Sequence, residues 1–92
     1  MSKEVATNFK IYNITCTNAN TDYTVTLEKC KKFYIGLQSK VLSIIWSLGV
    51  DGVYFNFTGT EVYEENDIYL NSRTITVKAS IAGEVIQVLA WS

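Results

Sequence analysis

The chain has 92 residues, enough for one domain with a thin core. Eight basic and nine acidic residues give a formal net charge of −1, leaving no basic excess to neutralise the phosphates of a nucleic acid. Hydrophobic residues make up 48% and charged residues 18%, a globular balance; with no long apolar run and no apolar leader, neither a membrane partner nor export is expected.

Residues 1–8 are polar and read as a flexible N-terminal arm, leaving 9–92 as the folded domain. Phe9 to Cys16 reads as a strand. Residues 17–22 are small and polar, types that turn the chain by bonding their own backbone. Tyr23, Val25 and Leu27 alternate with threonines, the period of a half-buried strand. The spacing predicts a hairpin of 9–16 with 23–30 that places Cys16 and Cys30 at its outer ends. Without an export signal, reduced thiols are expected there. Glu28 to Lys31 is a charged turn, after which Phe33, Ile35 and Leu37 share a strand face.

Lys40 to Leu48 fits a strand with Leu42, Ile44, Trp46 and Leu48 on one side better than a helix striped by Val41, Ile45 and Leu48. Gly49 to Gly52 reads as a turn, because Asp-Gly accepts positive φ. Val53, Phe55 and Phe57 alternate in the next strand. Glu61 to Asp67 reads as a solvated acidic loop and Ile68 to Leu70 as a short strand. Residues 73–79 alternate, 80–83 form a hairpin loop, and Glu84 to Trp91 is apolar on both faces. Such a strand is central in its sheet or covered by a neighbouring subunit.

Repeated short strands punctuated by turns predict an all-β fold, a small antiparallel β-sandwich of jelly-roll or immunoglobulin-like size, in one domain. Its core is expected to gather Phe33, Ile35, Leu37, Val53, Phe55, Phe57, Ile75 and Val77. Truncation of Phe55 to alanine should then cost about 3–5 kcal/mol. Tyr12, Tyr34 and Tyr54 fall on the opposite parity and are the candidate partner-contact residues. The chain lacks proline, a residue that often protects sheet edges, which fits edges covered in an assembly.

Chemistry is sparse. There is no histidine, so two cysteines cannot complete a structural zinc site within one chain. Glu61, Glu64, Glu65 and Asp67 lack the tight loop that gathers oxygens around calcium. Lys29, Lys31 and Lys32 flank Cys30 and would lower its pKa if it were a nucleophile, but a charged turn explains them as well. Asn13-Ile-Thr15 and Asn56-Phe-Thr58 match the glycosylation sequon by chance on strands. Trp46 and Trp91 both read inward, against an aromatic sugar platform. No catalytic residue, cofactor or metal is expected, and an enzyme is the least favoured class.

From Tyr23-Thr-Val-Thr-Leu through Phe33-Tyr-Ile, then Gly52-Val-Tyr-Phe, residues 61–70, residues 73–80 and Gly83 to Ser92, the chain resembles small virion proteins of tailed bacteriophages. The resemblance covers about three quarters of the chain and carries no active site. It departs at Glu28-Lys29-Cys30, where such proteins often have proline and glycine. It implies a structural protein of the virion, made in the host cytoplasm. The role it implies is an auxiliary or decoration protein bound to the major capsid protein or another virion protein, in a homo-oligomeric or symmetric assembly. Its alternatives are the capsid-proximal part of a head fibre, a tail or connector component, or a carbohydrate-binding module. Because the match begins near Tyr23, residues 1–16 are expected to act as an arm or added strand outside a 23–91 rigid body.

Overall fold

In the computed structural model, residues 9–66 and 70–91 are described. They form eight strands: β1 (Phe9–Cys16), β2 (Tyr23–Leu27), β3 (Lys32–Leu37), β4 (Ile45–Val50), β5 (Val53–Thr58), β6 (Val62–Glu65), β7 (Arg73–Ala79) and β8 (Glu84–Trp91). The arm over 1–8 and most of the short strand at 68–70 lie outside the described residues.

The strands build two four-stranded antiparallel sheets, ordered β1-β8-β3-β6 and β2-β7-β4-β5. We call them sheet A and sheet B. Apart from the β4–β5 hairpin, the chain changes sheet at every connection, so that two interleaved four-strand sheets arise from one chain. This order is that of a jelly roll, the double-sheet solution to the edge problem of all-β chains. The all-β sandwich expectation therefore holds.

Pairing order overturns several local expectations. Phe9–Cys16 pairs over its whole length with β8, and Tyr23–Leu27 pairs with β7, so these strands are not a hairpin. The 80–83 loop likewise crosses between sheets, with the Gly83 N–H donating to the Cys16 carbonyl at 2.7 Å. β1 belongs to the sandwich itself: Cys16 is fully buried, and Tyr12 and Ile14 pack on the core. The rigid body thus includes β1 and does not begin at Tyr23. Val41 to Ile44 is a turn, closed by the Ile44 N–H on the Val41 carbonyl at 3.1 Å, and β4 starts only at Ile45. The following turn is only Asp51-Gly52, both at positive φ (53° and 80°), which is the two-residue geometry that matches strand twist.

The acidic stretch is partly a strand. β6 pairs with β3, sending Tyr63 and Glu65 inward and Val62 and Glu64 outward. At the same end, Cys30 and Leu70 exchange two backbone hydrogen bonds of 3.0 Å, which tie the β2–β3 turn to the chain entering β7.

Alternate residues of both sheets meet in the middle. Leu27, Ile35, Leu37, Trp46, Val77, Ile86 and Val88 are all fully buried, and Phe33 and Ile75 nearly so. Trp46 stacks on Phe57 with centroids 4.3 Å apart, and Phe57 faces Tyr63 across the layers at 6.3 Å. Two expected core members are not in it: Val53 is 75% exposed and Phe55 66% exposed. Both nevertheless lie on the inward side of β5 with Phe57. What fails is cover. β6 has four residues against six in β5, and it reaches Phe57 without extending over the turn end of its neighbour.

Candidate interaction surface

Three surfaces of different character result. The outer face of sheet B is mostly polar, with Ile45 41% exposed among its polar residues. Thr24, Thr26, Thr74, Thr76, Lys78 and Ser47 point outward there, and the Thr26 and Thr74 hydroxyls lie 2.9 Å apart. Tyr54 lies flat on this face over Gly49, where any added Cβ would meet its ring at 2.7 Å. Its hydroxyl donates to Asp22 Oδ2 at 2.8 Å, and Lys78 Nζ sits 4.5 Å from the ring centroid. The bond to the Asp22 carboxylate pushes the Tyr54 pKa up.

The outer face of sheet A is apolar at its Phe9–Trp91 end and polar further along, where Gln87 donates to Asn13 at 3.0 Å. Register across the sheet aligns Phe9, Trp91 and Lys32 in one row and Ile11, Leu89, Tyr34 and Glu64 in the next. Phe9 is 51% exposed and Ile11 55%. Phe9 and Trp91 touch at a centroid distance of 5.0 Å, with Lys32 Nζ 4.9 Å over the indole. Trp91 therefore faces outward, contrary to its inward reading. β8 has apolar side chains on both faces, and the chain of alternation alone does not say which one the second sheet covers. The structure puts Ile86, Val88 and Ala90 inside.

The third surface is the cleft of about 660 Å³ left between the sheets at β5 and β6. Leu48, Val50, Val53, Phe55 and Tyr63 line it, with Glu65 as its carboxylate. The Tyr63 hydroxyl donates to Glu65 Oε2 at 2.8 Å, which raises the Tyr63 pKa. At the hairpin end, Arg73 pairs with Asp51 at 2.6 Å.

The three candidate contact tyrosines lie on three different faces. Tyr34 is half-buried in the apolar end of the outer face of sheet A, and Tyr54 lies on the mostly polar outer face of sheet B. Tyr12 has the parity of Val88 and packs on the core, its hydroxyl accepting the Glu28 N–H at 3.2 Å. It does not point away from the core as its position suggested. Among the described residues, no three metal-ligating side chains converge. Glu61 accepts the Thr58 N–H at 2.7 Å, while Glu64 and Glu65 point to opposite sides of β6; Asp67 lies outside the described residues.

Cys16 and Cys30 are free, buried thiols. Burial raises both pKa values, and the Glu84 charge adds to the effect at Cys16. For Cys30 this is the reverse of the shift that its lysine neighbours would have produced. A raised thiol pKa favours the protonated folded form. Its contribution is fully present below the unfolded value of about 8.5 and is lost as pH climbs through the folded value. The native protein should thus resist iodoacetamide at pH 7.5, react at two sites once unfolded in urea, and lose stability above about pH 8.5. Rapid labelling of the folded protein at neutral pH would show that the thiols are accessible.

No family model, curated protein or solved structure matches this chain.

Proposed function

We propose that the protein is a non-enzymatic virion structural module, an auxiliary or decoration protein that adheres to a repeating protein surface such as the major capsid shell. The observation that carries this reading is the apolar end of the outer face of sheet A, where Phe9 and Ile11 each stand more than half exposed. Antiparallel sheets ordinarily present polar residues to water, and contiguous exposed apolar area marks a contact. Phe9, Ile11, Leu89 and Trp91 supply that area, and Tyr34 lies within it. The choice of a virion partner follows only the resemblance read in the sequence segments from Tyr23 onward. Viral capsid domains share the jelly-roll architecture, an analogy of fold alone. Many such weak contacts on a repeating lattice would add to a firm hold.

The carbohydrate-binding alternative has one observation behind it. A hollow of about 240 Å³ on sheet B joins the polar Asn20, Asn56 and Lys78 with the apolar Ile45 and Ala79. A glycan array separates the two readings. The decisive experiment mixes the protein with purified phage particles lacking it and sediments them. The wild type should pellet in fixed ratio to the shell protein, and Ile11→Glu should stay in the supernatant while keeping its β-sheet circular dichroism. A wild type that stays in the supernatant, or glycan binding that survives Ile11→Glu, would overturn the virion reading.

A further inference from the structure

The free edge of β5 combines features that no other edge of the sandwich has. Its side chains, Val53 to Thr58, carry no charge, whereas edge strand β1 contains Lys10 and edge strand β6 contains Glu64 and Glu65. The remaining edge, β2, is also uncharged, but its inward residues Tyr23, Val25 and Leu27 are packed on the core. On β5 the inward Val53 and Phe55 stand mostly in solvent at the mouth of the apolar cleft. A two-residue hairpin fixes which backbone groups are used. Val50–Val53, Leu48–Phe55 and Trp46–Phe57 are the hydrogen-bonded pairs with β4, so the N–H and C=O groups of Tyr54 and Asn56 point away from it. Among the described residues no strand pairs with this edge.

A strand that fits there must be uncharged, extended and alternately apolar, with its own groups unpaired. β5 itself meets every condition. We propose that two copies of this chain associate by antiparallel pairing of β5 with β5, with the two-fold axis at Phe55. Tyr54 of each copy then exchanges both backbone hydrogen bonds with Asn56 of the other, and the two Phe55 rings lie side by side across the cleft mouths. Sheet B becomes an eight-stranded sheet through the dimer. The Arg73–Asp51 pair leaves the hairpin end without net charge. A single six-residue strand buries less than the roughly 800 Å² per partner of a standard interface, so the association is weak and is to be sought at high protein concentration. This inference does not rest on the virion reading.

Sedimentation equilibrium of the full chain up to about 500 µM tests it, a range chosen for a weak interface. The wild type should shift from monomer to dimer. Phe55→Lys should remain monomeric, and so should Asn56→Pro, which removes an N–H that β4 does not use. Register is tested by oxidative cross-linking. Phe55→Cys falls at the central close pair, with Cα atoms about 4.5 Å apart, and should form a covalent dimer. Val53→Cys, opposite Phe57 of the other copy, should not, and the parent with its two buried thiols serves as control. A wild type that stays monomeric overturns the proposal. A dimer that persists in Phe55→Lys does so too, as does Val53→Cys cross-linking as readily as Phe55→Cys.

Discussion

Replacing Trp46 by alanine is expected to remove about 4 kcal/mol of stability, the middle of the range for a buried aromatic. The indole is fully buried, stacks on Phe57, and donates from Nε1 to the carbonyls of Thr58 at 3.1 Å and Glu61 at 3.3 Å. It thus joins the middle of sheet B to the β5–β6 turn. A domain of this size has about 5–14 kcal/mol in all, so the variant should melt some 15–30 °C lower. Phe55→Ala, by contrast, should cost only about 1 kcal/mol, because most of that ring is already in water. Urea unfolding followed by circular dichroism gives both values. A loss at Phe55 equal to that at Trp46 would mean that the cleft is closed in solution.

The second large effect is expected at Gly59. This buried glycine sits against the Val41–Ile44 turn, and an added Cβ would overlap the Val41 carbonyl oxygen and approach Leu37 Cδ2 to 3.2 Å. Neither side can yield easily. The Val41 carbonyl accepts the Ile44 N–H, and Gly59 lies inside a turn closed by the Glu61 N–H on the Thr58 carbonyl at 3.0 Å. Gly59→Ala should therefore destabilise by about 3 kcal/mol through backbone displacement. Gly36→Ala is the control. Its Cβ would meet the tip of Val62 at 2.8 Å, a side chain that can turn aside, so the loss should be well under half as large. Equal urea midpoints for the two variants would show that the Val41 turn moves freely.

The strands at 23–27 and 73–79 are legible because alternation over five to seven residues has one structural meaning, and 84–91 because a short apolar run bounded by turn signals fits a buried strand. Local pattern does not, however, encode which strand pairs with which. β1 meets β8 and β2 meets β7 across most of the chain, and nothing within either segment announces its partner. β6 was hidden because its two glutamates look like solvent-facing loop residues, although one of them alternates inward beside Tyr63. The apolar run at 41–44 suggested a longer β4, but the Val41–Ile44 turn stands there. The candidate surface was half visible. Apolar residues on both faces of β8 pointed to a central strand, which it is in sheet A, or to one covered by a neighbouring subunit. The parity of Trp91 and Tyr12, which decides what belongs to that surface, depended on the position of sheet B.

The pairing of β1 with β8 also sets the order of events during synthesis. Phe9 finds its partner at Trp91 and Tyr23 finds its partner at Val77. At about 5–20 residues per second, a ribosome takes several seconds to supply those partners. For that interval the first two strands have no native neighbour, and sheet A lacks the strand to which both β1 and β3 attach. Folding is thus held back until β8 emerges, and such non-local pairing then proceeds on a millisecond-to-second scale. Nascent chains on the same message would meet with their uncharged strands still bare, the stage at which intermolecular mispairing competes most strongly with the native sheet.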